Sequence, residues 1–319
     1  RANKRHGTPA VDRVRMAADR FAALGSATAP LSNWFLGRKA FRVLLERVTG
    51  LDRRRTLPRF ERRTLKRRFA RRGTDAGSGA DRKVAFFVDV YADYNRPDLG
   101  EAAIELLRAA GCGVQLPEQK PCGYPFIAYG DLARAREVAR YNVARLAPLA
   151  RAGHDIVTLE PTAVYALREM YPKLLPGDED ALALAERTFG FFDYLLKVED
   201  APSVFPLENR RLGFHCSCHQ KGLGGGEPVM AWLRRMGAQV ELVESGTCCG
   251  MGGTFGLKTG PLGYELSQAV GEPLFEAFQR SGVEAIVTES SVCAIQLAEG
   301  TEHRVLHPLE VVSALGRPG

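Results

Sequence analysis

Short apolar runs alternate with longer amphipathic stretches through most of this 319-residue chain. Val84-Ala85-Phe86-Phe87-Val88 is continuously apolar, which suits a strand covered on both faces in a parallel sheet. A helical pattern follows from Gly100 to Ala110, then a long amphipathic stretch from Leu132 to Leu149, then a second apolar run from Asp155 to Leu159. The same order returns later. Leu212 to Cys216 predicts a strand, Pro228 to Met236 a helix, Gln239 to Val243 a strand, Tyr264 to Arg280 a helix, and Ala285 to Thr288 a strand. Strands alternating with helices imply parallel sheets, so the expected class is α/β.

Superposing the two series of elements reveals a repeat. Phe86 falls on Phe214, Val90 on Cys218, Pro121-Cys122-Gly123 on Cys248-Cys249-Gly250, and Ala163 on Cys293. Two homologous halves follow, related by duplication. Ahead of them, Ser32 to about Val48 predicts one helix with Ser32 as N-cap and Trp34, Phe41, Leu44, Leu45 and Val48 on one face. The small, polar, glycine-rich Thr74 to Ala80 predicts a linker. The expected divisions are residues 1–81, a basic helical segment with its linker; 82–208, the first repeat; and 209–319, the second.

Composition changes this picture in two places. With 45% hydrophobic residues the chain can bury two medium cores. The net charge of +7 is unevenly placed: Lys and Arg greatly outnumber Asp and Glu in residues 1–72, whereas the remainder is net acidic. An acidic body argues against nucleic-acid binding. The basic segment fits a solvated helix, a strap on an acidic neighbour, or a contact with anionic lipid. No stretch approaches the length of a transmembrane helix and no signal peptide opens the chain, so a cytoplasmic protein is expected, with possible peripheral contact at the inner face of the cell membrane. The opening Arg1, without Met, reads as the start of a fragment or of the end of a fused polypeptide.

The seven cysteines, without export signals, read as thiolates for metal or redox work rather than as a disulfide framework. Cys216, Cys218, Cys248, Cys249 and Cys293 lie where loops leave predicted strands of the second half. In an open α/β sheet those strand ends converge on one rim, which would gather the thiolates into one pocket. The vicinal Cys248-Cys249 pair places two sulfurs together, and Gly250, Gly252 and Gly253 let the backbone bend around a bulky group. Soft thiolates select iron–sulfur clusters, zinc or copper(I). Zinc prefers spaced pairs, so a vicinal pair is awkward for it, but spacing alone leaves an iron–sulfur cluster, zinc and unligated cysteines all open.

Cys218, Cys248-Cys249-Gly250 and Ser290-Ser291-Val292-Cys293 resemble the second of two cysteine-rich CCG repeats of the heterodisulfide reductase type. Such repeats also occur in the iron–sulfur subunits of anaerobic glycerol-3-phosphate dehydrogenase and of glycolate and lactate oxidases, and at the end of FAD-linked oxidase fusions. The resemblance covers nearly the whole chain. Asn33-Trp34-Phe35-Leu36, Leu57-Pro58-Arg59-Phe60, Tyr91-Ala92-Asp93-Tyr94-Asn95 and His307-Pro308-Leu309-Glu310 are similar to the glycerol-3-phosphate and FAD-fused branch. It implies two CCG repeats and one cluster, of the four-iron, four-sulfide kind, held by Cys218, Cys248, Cys249 and Cys293. Ser290 stands where the family has a fifth cysteine, with Cys216 as its substitute and Gly250 and His219 as supporting residues. In the first repeat Val90, Pro121, Glu160 and Ala163 replace cysteines and Cys122 alone remains, so that half is structural or a docking copy.

Other features carry less. His219 reads as a contact to a sulfur or a plain polar contact, and His215 and His307 have weaker claims. The glycine-rich Gly222 to Gly226 and Gly250 to Gly256 lack a dinucleotide fingerprint. Phe191, Phe192, Tyr194 and Leu195 read as the core stripe of a helix. The resemblance therefore implies an electron-transfer module of a flavin-linked dehydrogenase for a hydroxy acid or glycerol 3-phosphate. FAD and further clusters would sit on a flavoprotein and a ferredoxin-type domain or subunit, electrons would pass to quinone or another acceptor, and no substrate chemistry would occur here. The rival expectation is a zinc-binding or metal-free interaction scaffold.

Overall fold

The computed structural model describes residues 10–72, 80–198 and 207–315. Residues 74–79 of the expected linker lie outside the described residues. The chain divides into two compact units: Arg1–Phe35 with Arg59–Pro202, and Leu36–Pro58 with Ser203–Gly319. Each carries one four-stranded parallel sheet flanked by helices.

The helix expected from Ser32 to Val48 is two helices, Leu31–Leu36 and α1, Lys39–Thr49. Gly37 and Arg38 separate them, since glycine's backbone freedom disfavours the helix interior. The anticipated apolar face is only partly covered. Phe41 and Leu45 are half-buried, whereas Trp34, Leu44 and Val48 are exposed.

In the first unit, strands β1 (Arg82–Phe86), β2 (Cys112–Gln115), β3 (Asp155–Thr158) and β4 (Thr188–Gly190) lie in the order β2-β1-β3-β4. Val84 pairs with Asp155 and Phe86 with Val157. Val84 through Val88 are buried, as expected of a strand covered on both faces. The basic helix α2, Leu65–Arg72, is anchored by Leu65, fully buried against α3, Pro97–Ala109. A Cβ on Gly100 of α3 would lie 2.2 Å from Leu65 Cδ2, so a larger residue there would force the Leu65 side chain to move. Helix α4, Leu132–Arg151, opens on Asp131, whose carboxylate accepts from the Arg134 N–H, and it buries Ala135, Ala139, Val143, Leu146 and Ala150 in a core-facing stripe. Phe191, Phe192, Tyr194 and Leu195 are buried in the helix Phe191–Lys197.

The second unit repeats the topology. Strands β5 (Arg211–Phe214), β6 (Gln239–Leu242), β7 (Ala285–Val287) and β8 (Arg304–Leu306) lie in the order β6-β5-β7-β8. Leu212 pairs with Ala285 and Phe214 with Val287. Three helices position its loops: α5, Cys218–Gly222; α6, Leu266–Ser281; and α7, Ser291–Gly300. Its core gathers Phe278, Leu274, Ile286, Leu297 and Met251 with Cys249 and Cys293. Residues 51–55 belong to this unit. Leu51 bridges Lys258, and the Asp52 N–H donates to the Leu257 carbonyl.

The short strands β2, β4 and β8 were not anticipated. The Gly-Cys-Gly context of β2 and the brevity of the other two leave little apolar pattern to recognise.

Candidate metal centre

The strand order reverses the direction of the connections between β5 and β7, where the carboxyl ends of parallel strands leave a crevice. The β5 loop supplies Cys216 and Cys218, the β7 loop leads into α7 with Cys293, and the β6 loop supplies Cys248 and Cys249.

Local chemistry fixes each loop. Ser217 caps α5: its hydroxyl accepts from the Gln220 N–H, and the Gln220 side chain accepts in return from the Ser217 N–H. The Gln220 amide also donates to the Glu289 carboxylate, joining the β5 loop to the β7 loop. Gly250 adopts φ +89°, and a Cβ there would lie 2.0 Å from the Ser267 carbonyl oxygen. Only glycine therefore lets the Cys248-Cys249 turn lie this close to α6. The Gly250 N–H points at Cys248 Sγ, 3.4 Å away.

These constraints bring the four sulfurs together in two pairs. Cys218 Sγ lies 3.4 Å from Cys248 Sγ, and Cys249 Sγ lies 3.3 Å from Cys293 Sγ. Cys218 is exposed and Cys248 half-buried, whereas Cys249 and Cys293 are buried, so the group is open to solvent on one side only. Within each pair one sulfur holds the proton for the other. The hydrogen bond from Cys218 draws Cys248 far below the ordinary thiol range, and that from Cys249 does the same for Cys293. Cys218 and Cys249 are correspondingly raised. The hydroxyl of Ser290, the residue at the fifth-cysteine position, also helps to hold Cys293 low.

The remaining expected residues stand differently. Cys216 makes neither of these sulfur contacts; its thiol lies 3.9 Å from the Ser217 carbonyl, and burial pushes it up to about 11. Strand β5 ends at Phe214, so the alternation that would align Cys216 with Cys218 no longer applies there. Burial lowers the His219 imidazole, with the Cys293 and Cys248 charges opposing that shift. His307 caps the helix Pro308–Leu315, accepting from the Leu309 N–H through Nδ1.

His215 is the residue that the sequence ranked too low. It is buried, and one of its ring nitrogens lies within 4.8 Å of both Cys249 Sγ and Cys293 Sγ. Its signal was a polar residue ending the apolar run from Leu212 to Phe214. A His215 ring nitrogen and the Cys249 and Cys293 sulfurs make a three-donor group whose soft sulfurs fit a thiolate-ligated metal.

At the equivalent position of the first unit the polar groups bond one another. Cys122 Sγ donates to Asp89 Oδ2 at 3.2 Å, and Tyr171, accepting from the Asn142 amide, donates to the Cys122 carbonyl. Asn142 also accepts from the Lys120 N–H, clamping the loop. Val90, Pro121 and Ala163 offer no donor, and one thiolate cannot hold a cluster. Cys112 is a buried residue of β2. No described helix is long and apolar enough to cross a membrane.

Known proteins agree with this duplicated layout. The CCG cysteine-rich domain family matches twice, at residues 84–167 and 212–298. One subunit of the anaerobic glycerol-3-phosphate dehydrogenase of Escherichia coli K12 is 32% identical over 304 residues, covering 92% of this chain and 74% of that protein. Lactate utilization protein A of Geobacillus thermodenitrificans is 30% identical over 247 residues, 72% of this chain and 98% of that protein. The Bacillus subtilis lactate utilization protein A is 26% identical over 245 residues, 73% and 99% of the two chains. With three strands of each sheet reached by the two matches, this chain belongs to the CCG cysteine-rich domain family.

Proposed function

We propose that the protein is an electron-transfer module of a flavin-linked dehydrogenase, holding one four-iron cluster through Cys218, Cys248, Cys249 and Cys293. The observation that carries this reading is the placement of these four cysteines at one sheet rim, where their sulfurs form two pairs that would have to spread apart to take up a cluster. Similarity to a dehydrogenase component and to lactate utilization proteins supports a redox role. A bound cluster would supply one-electron storage. The chain's own residues do the rest. Gly250 lets the Cys248-Cys249 turn bend against α6, Gln220 and Glu289 hold two ligand loops at one spacing, and the buried Cys249 and Cys293 keep water from one side. A redox partner would approach on the side of the exposed Cys218. Electrons would arrive from a flavoprotein through a ferredoxin-type domain and leave to quinone or another acceptor. Peripheral contact through the basic segment with the cytoplasmic face of a membrane belongs to the same proposal.

Zinc is the second reading, because sulfurs about 2.3 Å from one tetrahedral zinc lie about 3.8 Å apart, not far beyond the observed contacts. Zinc has no redox chemistry, however, and would leave the module without a current to carry. Anaerobic purification decides between them. About four iron and four sulfide per chain, with a reducible paramagnetic signal lost in Cys249→Ala, supports the cluster. Stoichiometric zinc, or a folded metal-free protein that keeps partner activity, refutes it.

A further inference from the structure

His215 is placed by the sheet rather than by a loop. Its N–H donates to the Val287 carbonyl at 2.9 Å, extending the β5–β7 ladder one residue past the end of β5. The side chain is buried, and its Nε2 has no hydrogen-bond partner among the described residues. A buried imidazole nitrogen without a partner is costly, so such groups ordinarily find one. The neighbouring acceptors are sulfurs: a ring nitrogen of His215 and the Sγ atoms of Cys249 and Cys293 all lie within 4.8 Å of one another.

Four thiolates already give each iron of a four-iron cluster one ligand, so the imidazole is surplus as a ligand. A neutral imidazole nevertheless always carries one N–H, and a metal-bound thiolate is a charged acceptor. Resting on the cluster reading above, we propose that His215 donates its ring N–H to the Cys293 or Cys249 sulfur and thereby raises the reduction potential of the bound cluster. Reduction adds negative charge that spreads onto the sulfurs, so a fixed donor favours the reduced state more than the oxidised one. His215 is in this sense a positioning residue that sets the potential without holding iron.

The test uses the full chain loaded anaerobically, with the midpoint read by potentiometric titration of the paramagnetic signal. His215→Phe should retain the wild-type iron and sulfide content and shift the reduction equilibrium about tenfold toward the oxidised form, a fall of about 59 mV for one electron. His215→Gln, which keeps an N–H donor, should recover part of that fall. Wild-type protein carrying 15N-histidine should show a weak nitrogen coupling in pulsed paramagnetic resonance, with an exchangeable proton lost in heavy water. That measurement needs no variant. Loss of iron in His215→Phe to the level of Cys293→Ala, or a strong directly bonded nitrogen coupling, would make His215 a ligand and overturn the inference. An unchanged potential with no nitrogen coupling would overturn it as well. Wild-type protein that takes up no cluster refutes the proposed function itself, whereas a loaded wild type with an insensitive His215→Phe refutes this inference alone.

Discussion

Arg55 is a charged residue from the basic N-terminal stretch whose side chain is 0% exposed within the second unit. Its guanidinium spends its donors on four groups. Nη1 meets the Glu299 carboxylate at 2.6 Å and the Gln296 side-chain oxygen, Nη2 donates to Ser267 Oγ at 2.7 Å, and Nε donates to the Gly256 carbonyl at 2.7 Å. Those partners lie on α7, which carries Cys293, on α6, which backs Gly250, and on the loop following Cys249. Replacing Arg55 by Met would leave the Glu299 side chain, 10% exposed, without its cation, and would remove the Arg55 donors from Gly256, Gln296 and Ser267, of which Gln296 keeps the Ser267 hydroxyl. Breaking a buried pair from one side costs about 3–5 kcal/mol. At about 1.4 kcal/mol per tenfold, amide exchange limited by opening of this unit should accelerate by a hundredfold or more. Mass-resolved hydrogen exchange of β7 and α7, residues 285–300, measures this directly. The double variant Arg55→Met/Glu299→Gln removes the abandoned charge and should recover more than half of the loss. Acceleration below tenfold in the single variant would show that Arg55 is not the tie described here. Equal loss in the single and double variants would show that charge is not the reason for it.

Three further outcomes follow from the same contacts. Gly250→Ala must place a Cβ against the Ser267 carbonyl at a positive φ, so it should destabilise the second unit by more than about 1 kcal/mol and speed metal loss to a chelator; wild-type retention would refute the close-approach argument. Leu65→Ala should cost the first unit about 2–5 kcal/mol in urea, and a change below about 1 kcal/mol would mean that α2 is not anchored there. Burial raises the Asp89 carboxyl, partly offset by hydrogen bonds from the Val90 N–H and the Cys122 thiol. The folded form therefore keeps its proton at pH values where the unfolded chain has lost it, and stability falls as pH rises above the ordinary carboxylate range. Asp89→Asn should accordingly gain stability over wild type as pH rises above the ordinary carboxylate range in denaturant titrations, and a pH-independent difference would reject this account.

Periodicity alone determined the α/β class, the duplication and the position of most strands, because a parallel strand covered on both faces must be apolar throughout. Val84 to Val88 and Ala285 to Val287 announce themselves for that reason. The strand ends also told which cysteines share a rim, since loops leaving parallel strands converge there. Tertiary structure decided what no local pattern encodes. The sulfurs pair as Cys218 with Cys248 and Cys249 with Cys293 because Gly250 packs against α6 and Gln220 reaches Glu289. The helix expected across Gly37 breaks, and Leu44 and Val48 stay exposed although their spacing suits a core face. The arginine run gave no sign of which cation would be buried, and Arg55 is buried because acceptors some two hundred residues away converge on it. His215 likewise gained its place from a backbone hydrogen bond to Val287 and from two sulfurs brought by other loops. Sequence spacing records which residues share a strand or helix face; meetings between distant loops depend on packing, and the chemistry of this site is made of such meetings.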